Sequence, residues 1–359
     1  YTALQDGLNR QGVGCDFYVR QTHPFGYLQK AGNIFQKLLI AISRKRNEIA
    51  GKNLFLKLAL SFSLKLASLL LFLYSLIRYD VFIFGYRESF FTKCRFLDLP
   101  LLKLFGKKLI FVFNGSDARP PYCDGAFLPY PEITDIRTLI RSSAKRKRDL
   151  KTIEKFADYC IVHPPTAILF EKPCLSFFHL GIPVRLDEEA PPAPEDGHDR
   201  GVTVLHCPSH PEAKGTMVIR ETIKKLSQKH LITYIEVIGK PNSFVREKLN
   251  ECDFVVDQLY SPTPMPGFVS EAATFGKPAV ICGYYCREIQ ELLPETLLPP
   301  SHYCHPADLE KAIEKLIIDR EFRLELGAKA RRFVETQWEP ETVARRFLQV
   351  IEGDVPEDW

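Results

Sequence analysis

The chain reads Asp257-Gln258-Leu259 and then Pro266-Gly267-Phe268-Val269-Ser270-Glu271-Ala272-Ala273-Thr274-Phe275-Gly276-Lys277-Pro278-Ala279-Val280. This is a strand end, a glycine turn, a short helix and another strand. Gly267 removes the side chain where the helix begins, Glu271 lies one turn in, and Gly276-Lys277-Pro278 stops the helix before an apolar strand. A helix start of this kind presents unpaired N–H groups and a positive dipole end to an anion. A carboxylate one turn further along repels phosphate but suits ribose hydroxyls as a hydrogen-bond acceptor. Together they point to a site for a nucleoside diphosphate.

A second segment points to the same ligand. After an apolar strand at 202–206, Lys214-Gly215 precedes the helical pattern Val218, Ile219, Thr222, Ile223, Leu226. Lys214 is thereby placed at the mouth of a strand-to-helix turn, where open parallel sheets bind ligands. The bland alternative is a solvated lysine at a helix start, and for Glu271 a helix-face carboxylate paired with a lysine.

Working outward, strands are expected at 202–206, 233–238, 254–257 and 279–282, alternating with helices at 218–229, 243–250, 307–318 and 320–337. Upstream, a helix at 2–12 leads to a strand at 16–19. Further strands at 81–84, 108–113 and 159–162 are separated by helix-like 97–104 and amphipathic 150–156. Strand and helix in alternation give a parallel sheet covered on both faces. The proline-rich, acidic stretch 186–197 interrupts the pattern and reads as a linker. The fold class is therefore α/β, with two doubly wound sheets.

A chain of 359 residues suits two domains, and 45% hydrophobic with 26% charged residues is ordinary for a globular protein. The net charge of +4 is too small for a nucleic-acid partner to be expected. Ten cysteines scattered through a chain this long are unlike a small secreted disulfide scaffold, so a reducing, cytoplasmic compartment is expected.

On Lys214-Gly215, Asp257-Gln258-Leu259, the run from Gly267 to Pro278 with Glu271-Ala272, and Asn114-Gly115-Ser116-Asp117-Ala118-Arg119 after the strand at 108–113, the chain resembles the family 4 nucleotide-sugar glycosyltransferases of bacterial glycan assembly. That resemblance covers nearly the whole chain. It implies the two-domain GT-B fold, Rossmann-like lobes facing a central cleft, and sugar transfer with retention from a nucleotide-sugar donor to a glycan or lipid-linked acceptor. Residues 1–185 would form the acceptor-side domain and 186–200 the linker. Residues 201–338 would form the donor domain, and 339–359 a helical region packing back on the first domain. The first strand and its glycine-bearing loop would lie upstream of Tyr1.

Donor-binding residues on this reading are Lys214, Gly215, Gly267, Phe268, Val269 and Glu271. Acceptor-binding residues are Asn114, Gly115, Ser116, Asp117 and Arg119, and the catalytic candidates are Asp117 and Lys214. Asp117 could equally cap a turn, and Asn114 could simply close its strand. Lys214 and the amides after Gly267 would offset the leaving diphosphate's charge, so neither a metal nor a cofactor is expected. The chain departs from the family in three places. Thr263 stands where an ungapped match puts the first of two glutamates eight positions apart, no arginine lies in 207–213, and Asn114 replaces a histidine. A catalytically inactive GT-B module that binds a glycan, lipid or protein partner is the alternative.

Two further segments bear on partners. The basic run Arg141-Ser142-Ser143-Ala144-Lys145-Arg146-Lys147-Arg148 reads as a solvated helix face, with an anionic acceptor or lipid headgroups as the other reading. Residues 53–77 are almost wholly apolar, but their unbroken part, 66–77, is shorter than the roughly 18–20 residues of a membrane span. Burial in a core is the default for such a helix. Nearby Arg44, Lys45 and Arg46 keep an anionic membrane surface open as a partner, with the protein peripheral at the inner membrane face. Cys282, Cys286, His302, Cys304 and His305 lack the spacing of a zinc site.

Overall fold

The computed structural model describes residues 2–19, 32–49, 53–121, 135–186, 201–261, 263–357 and 359. In the first lobe come α1 (Thr2–Arg10), α2 (Ile34–Glu48), α3 (Leu54–Arg78), β1 (Val81–Gly85), α4 (Asp98–Leu104), β2 (Lys108–Val112), α5 (Ile136–Phe156), β3 (Tyr159–Val162), β4 (Leu175–Ser176) and α6 (Phe177–Leu180). The second lobe runs through β5 (Val202–His206), α7 (Pro211–Lys214), α8 (Thr216–Leu226), β6 (Ile232–Glu236), α9 (Asn242–Glu251), β7 (Phe254–Gln258) and α10 (Gly267–Thr274). It continues with β8 (Ala279–Cys282), α11 (Cys286–Leu292), β9 (His302–Cys304), α12 (Leu309–Ile318), α13 (Arg320–Gln337) and α14 (Pro340–Glu352).

Both sheets are wholly parallel, in the orders β1-β2-β3-β4 and β6-β5-β7-β8-β9. The second order places β5 between β6 and β7, so successive connections leave β5 in opposite directions. The crevice at the carboxyl ends of β5 and β7 is thus a topological switch point, the ligand position in open α/β sheets. The fold class read from the sequence is the one observed.

The two periodicities explain the layers. Along β2, Leu109 and Phe111 face one way with Phe113 and meet Phe72 of α3, Leu99 and Leu102 of α4, and Leu150 and Ile153 of α5. Ile110 and Val112 face the other way and meet Leu4 and Leu8 of α1 and Val343, Phe347 and Val350 of α14. The last helix thus packs on the first lobe. In the second lobe, Val204, Phe254, Val256 and Val280 bury against α8 and α12. Leu205, Val255, Ala279 and Ile281 bury against α10 and α13 and share that core with Trp338. The chain between the lobes is pinned there: Val184 N–H donates to Trp338 O at 2.9 Å.

Three sequence expectations need correction. Residues 16–19 form no strand; Asp16 and Tyr18 instead hydrogen-bond the Tyr79 hydroxyl, which ties the segment to the end of α3. The apolar stretch after residue 53 is not core. Lys57 and Lys65 do not interrupt it, α3 runs unbroken for 25 residues, and only Ala67, Leu71, Phe72 and Ser75 are buried. α2 covers one narrow stripe of it through Leu39 packed on Ala67 and Leu71, and the sheet reaches only its carboxyl-terminal half. Arg146 does not belong with the solvated basic face, because its guanidinium donates to Arg119 O. Arg141, Lys145, Lys147 and Arg148 are exposed. Of the linker, residues 187–200 lie outside the described residues.

Candidate functional site

At the switch point α7 is a single turn opened by Pro211 and closed by Gly215 in the left-handed region, φ +71°. A β-carbon at 215 would stand 2.7 Å from Leu259 Cβ, so only glycine lets this turn press against the loop after β7. Leu259 N–H donates to Lys214 O at 3.1 Å. The Lys214 ammonium thereby reaches back across β5 and β7, donating to Asp257 Oδ2 at 2.7 Å and Gln258 Oε1 at 3.1 Å. Lys214 keeps 19% of its side chain exposed whereas Asp257 keeps 1%. Asp257 Oδ1 is buried with no hydrogen-bond partner among the described residues.

Beneath this pair His206 ends β5, fully buried. Its Nδ1 lies 2.7 Å from Val256 O and its Nε2 2.9 Å from Thr216 Oγ1. Burial pushes its pKa below the ordinary histidine value, which favours the neutral ring. The imidazole joins β5, β7 and the start of α8, and so fixes the turn that carries Lys214.

Gln258 carries the network onward. Its amide donates to Ser261 O at 3.0 Å and Thr263 O at 3.1 Å, shaping the loop that leads into α10. Buried Met265 in that loop has φ +45°, unusual for a residue with a side chain. No side chain caps α10. Gly267, its first residue, is exposed, and a β-carbon there would meet nothing within 4 Å. The protein's own packing does not require that glycine. Phe268 is half-buried, and Val269 has its side chain in the core, so a ligand at this helix start would meet Val269 only through its backbone. One turn in, both oxygens of Glu271 accept from Asn242 Nδ2, at 2.8 and 3.0 Å. Burial raises the Glu271 pKa against the opposing effect of that hydrogen bond.

The first lobe meets this loop directly. After β2, Asp117 Oδ1 accepts from Asn114 N–H at 2.9 Å, closing the turn, while Asp117 Oδ2 is buried without a hydrogen-bond partner among the described residues. Burial raises its pKa, opposed in part by the turn's N–H groups and the charge of Arg87. Asn114 and Ser116 are exposed and Arg119 is half-buried. Gly115 has φ +121°, and a β-carbon on it would come within 3.2 Å of Arg119 Nη1 and 3.6 Å of Thr263 Oγ1. Arg119 Nη1 donates to Ser261 Oγ at 3.1 Å, and Ser261 Oγ in turn lies 2.9 Å from Thr263 Oγ1.

The structure therefore brings Lys214, Gly215, Gln258, Thr263, Gly115 and Arg119 into one chain of contacts between the lobes. Gly267 and Glu271 lie on the helix that follows. Asp117 sits in the same loop as Arg119 but turned into its own backbone. Sequence reasoning missed four participants. Arg87, at the end of β1, pairs with Asp149 at 3.2 Å and contributes charge near Asp117; the strand-end logic applied to β2 and β5 would have found it. Asn242 follows Gly239-Lys240-Pro241, another strand-to-helix turn. Ser261 carries no local signal, and Arg146 was legible only as one charge of the basic run, because their partners lie 142 and 27 residues away. Among the described residues no group of three or more His, Cys, Asp or Glu could hold a metal ion.

No protein-family model matches the chain, and no curated protein is similar to it in sequence. Its likeness is to solved structures. The crystal structure of Anabaena Alr3699/HepE in complex with UDP matches with 13% identity over 80% of this chain and 82% of that one, TM-score 0.50. The same protein in complex with UDP-glucose matches with 12% identity over 91% of this chain and 98% of that one, TM-score 0.50. This chain has the GT-B fold. At such identity the likeness concerns architecture, and the chemistry of the cleft rests on the residues described above.

Proposed function

We propose that this chain transfers a sugar from a nucleotide-sugar donor bound by the second lobe to an acceptor held by the first. The observation that carries the reading is the placement of the Lys214 ammonium at the β5–β7 switch point, joined through Gln258 and Ser261 to Arg119 of the opposite lobe. HepE, which shares the architecture, was crystallised with UDP and UDP-glucose. The donor diphosphate would accept N–H groups at Gly267, Phe268 and Val269 and the positive charge of Lys214. Both strengthen as the nucleoside diphosphate leaves with its charge, with no metal needed. Glu271, steadied by Asn242, would accept ribose hydroxyls. Asn114, Gly115, Ser116 and Arg119 would line the acceptor side, with Asp117 holding their loop in shape. A catalytic part for Asp117 requires its buried Oδ2 to become accessible. Retention of anomeric configuration and a family 4 relationship belong to the proposal only through the resemblance of the sequence motifs.

The second reading, an inactive GT-B module that binds a glycan, lipid or protein partner, is favoured by Thr263. Where the resembling family carries a carboxylate, this hydroxyl is held by Ser261 and packs beside Gly115. A thermal-shift screen of nucleotide sugars, followed by assay of nucleoside diphosphate release from any donor that binds, separates the readings. The transfer reading expects stabilisation by one donor and its slow turnover, at a rate that increases when acceptor is supplied. Binding without any release, with or without candidate acceptors, would favour the inactive module, and no binding at all would remove both the donor and the reaction.

A further inference from the structure

The outward face of α3 is apolar for its whole length. Phe55, Leu58, Phe62, Leu66, Leu69 and Leu73 recur every three or four residues, between 41% and 83% exposed. Only 22% of the helix's most apolar window is buried. Exposed apolar surface of this extent on a folded protein marks an interaction site.

Charge identifies the partner. Lys37, Arg44, Lys45 and Lys65 are exposed on the same helix pair, and Lys57 is half-buried among the leucines. α2 and α3 hold one acidic residue, Glu48, and it is paired with Arg44 at 3.0 Å. A second copy docked face to face would set these cations against one another, at a cost. An anionic bilayer surface would compensate them while its acyl region takes up the leucine and phenylalanine side chains.

The helix is long and apolar enough to cross a membrane, but its attachments argue for lying in the interface. Ala67 and Leu71 are packed on α2, and Phe72 is in the core of the first sheet. A spanning position would strip these residues from the domain. The amino-terminal half is held by α2 alone among these partners, with Arg46 Nε donating to Ser61 Oγ at 2.9 Å and Leu64 packed beside Leu39, and it moves with that hairpin. α3 reverses into β1 through Tyr79 and Asp80, so the two run antiparallel. A helix of 25 residues is about 37 Å long against about 17 Å for the five-residue strand. Phe72 already packs on Phe90 and Phe91, ring centroids 5.5 and 5.1 Å away, and these follow the carboxyl end of β1. Residues 54–66 therefore continue past the sheet on the side where 114–119 face the second lobe.

We propose that the α2–α3 hairpin docks the protein on an anionic membrane surface. The docking does not rest on the sugar-transfer reading above, so vesicle binding and donor binding can fail separately. Co-sedimentation of the full chain with vesicles of equal parts phosphatidylglycerol and phosphatidylcholine tests it, against vesicles of phosphatidylcholine alone. The protein should pellet with the anionic vesicles and be partly released by high salt. Combined Phe55→Ser, Leu58→Ser and Phe62→Ser should lower partitioning at least about tenfold, with melting temperature and nucleoside diphosphate affinity unchanged because all three side chains are exposed. Combined Lys37→Gln, Lys45→Gln and Lys65→Gln should remove the preference for anionic vesicles. Wild type that stays in the supernatant at low salt would overturn the proposal, as would a serine variant that binds as well as wild type. A wild-type dimer in solution that the serine variant turns into a monomer would also overturn it, making the stripe a contact between copies.

Discussion

Asp257 is almost wholly buried, and the Lys214 ammonium is the cation that compensates it. Lys214→Ala should therefore do more than weaken diphosphate binding: it leaves a buried carboxylate unpaired, at about 3 kcal/mol or more, and the melting temperature should fall. Adding Asp257→Asn should restore part of the loss, a recovery that thermal denaturation of the single and double variants would reveal. No recovery would mean that Lys214 supports the loop by packing and not by charge. Glu271 gives a prediction with a sign in pH. Its pKa is raised by burial, so its acceptor strength toward a ribose fades as pH falls through that raised value. Glu271→Gln should lower nucleoside diphosphate affinity at neutral pH while leaving inorganic diphosphate affinity alone, and the gap from wild type should close as the medium is acidified. A gap that is constant with pH, seen by titration calorimetry, would show that the residue's charge is not what the ligand reads. On stability the sign is opposite. A carboxyl whose folded pKa lies above its unfolded one contributes stability at low pH that is lost as pH rises through the folded value.

Among the elements, the turn from α7 into α8 is tightly constrained by its sequence. Gly215→Ala would place a β-carbon 2.7 Å from Leu259 in a left-handed conformation. A loss of about 2–4 kcal/mol is expected. Leu259→Ala in the same chain should relieve the clash but not the backbone strain, so denaturant unfolding should show partial rescue; complete rescue would mean the φ angle costs nothing. The strands of both sheets were legible because apolar runs bounded by glycine, proline or a polar turn leave few alternatives. Residues 81–84, 159–162 and 254–257 match β1, β3 and β7 within a residue. β4 and β9, of two and three residues, were not, since so short a strand owes its pairing to the sheet already beside it. α3 was read as core because periodicity shows how apolar a helix is, and not which neighbours exist to cover it.

For the molecule as a whole, the first-lobe loop touches the loop after β7 across the cleft, where Arg119 donates to Ser261 and Gly115 lies beside Thr263. No sequence window contains both Arg119 and Ser261, which is why the motifs pointed to two candidate half-sites and not to how they join. Gly115, Lys214 and Glu271 could be named as candidates because each sits near a strand end or helix start; Asn242, Arg87 and Arg146 act through partners that only the fold supplies. Arg119→Ala should leave nucleoside diphosphate affinity within about twofold of wild type, since the proposed donor elements are all in the second lobe, yet reduce turnover by tenfold or more through loss of lobe alignment. An equal loss of affinity and turnover would place Arg119 on the donor itself. The central claim is that a nucleoside diphosphate binds at the β5–β7 switch point between Lys214 and the start of α10. Hydrogen exchange of the full chain with and without the nucleoside diphosphate that stabilises it most tests that claim directly. The account predicts slowed exchange confined to residues 211–216 and 263–271, lost in Lys214→Ala, and protection elsewhere with these two segments unchanged would contradict it.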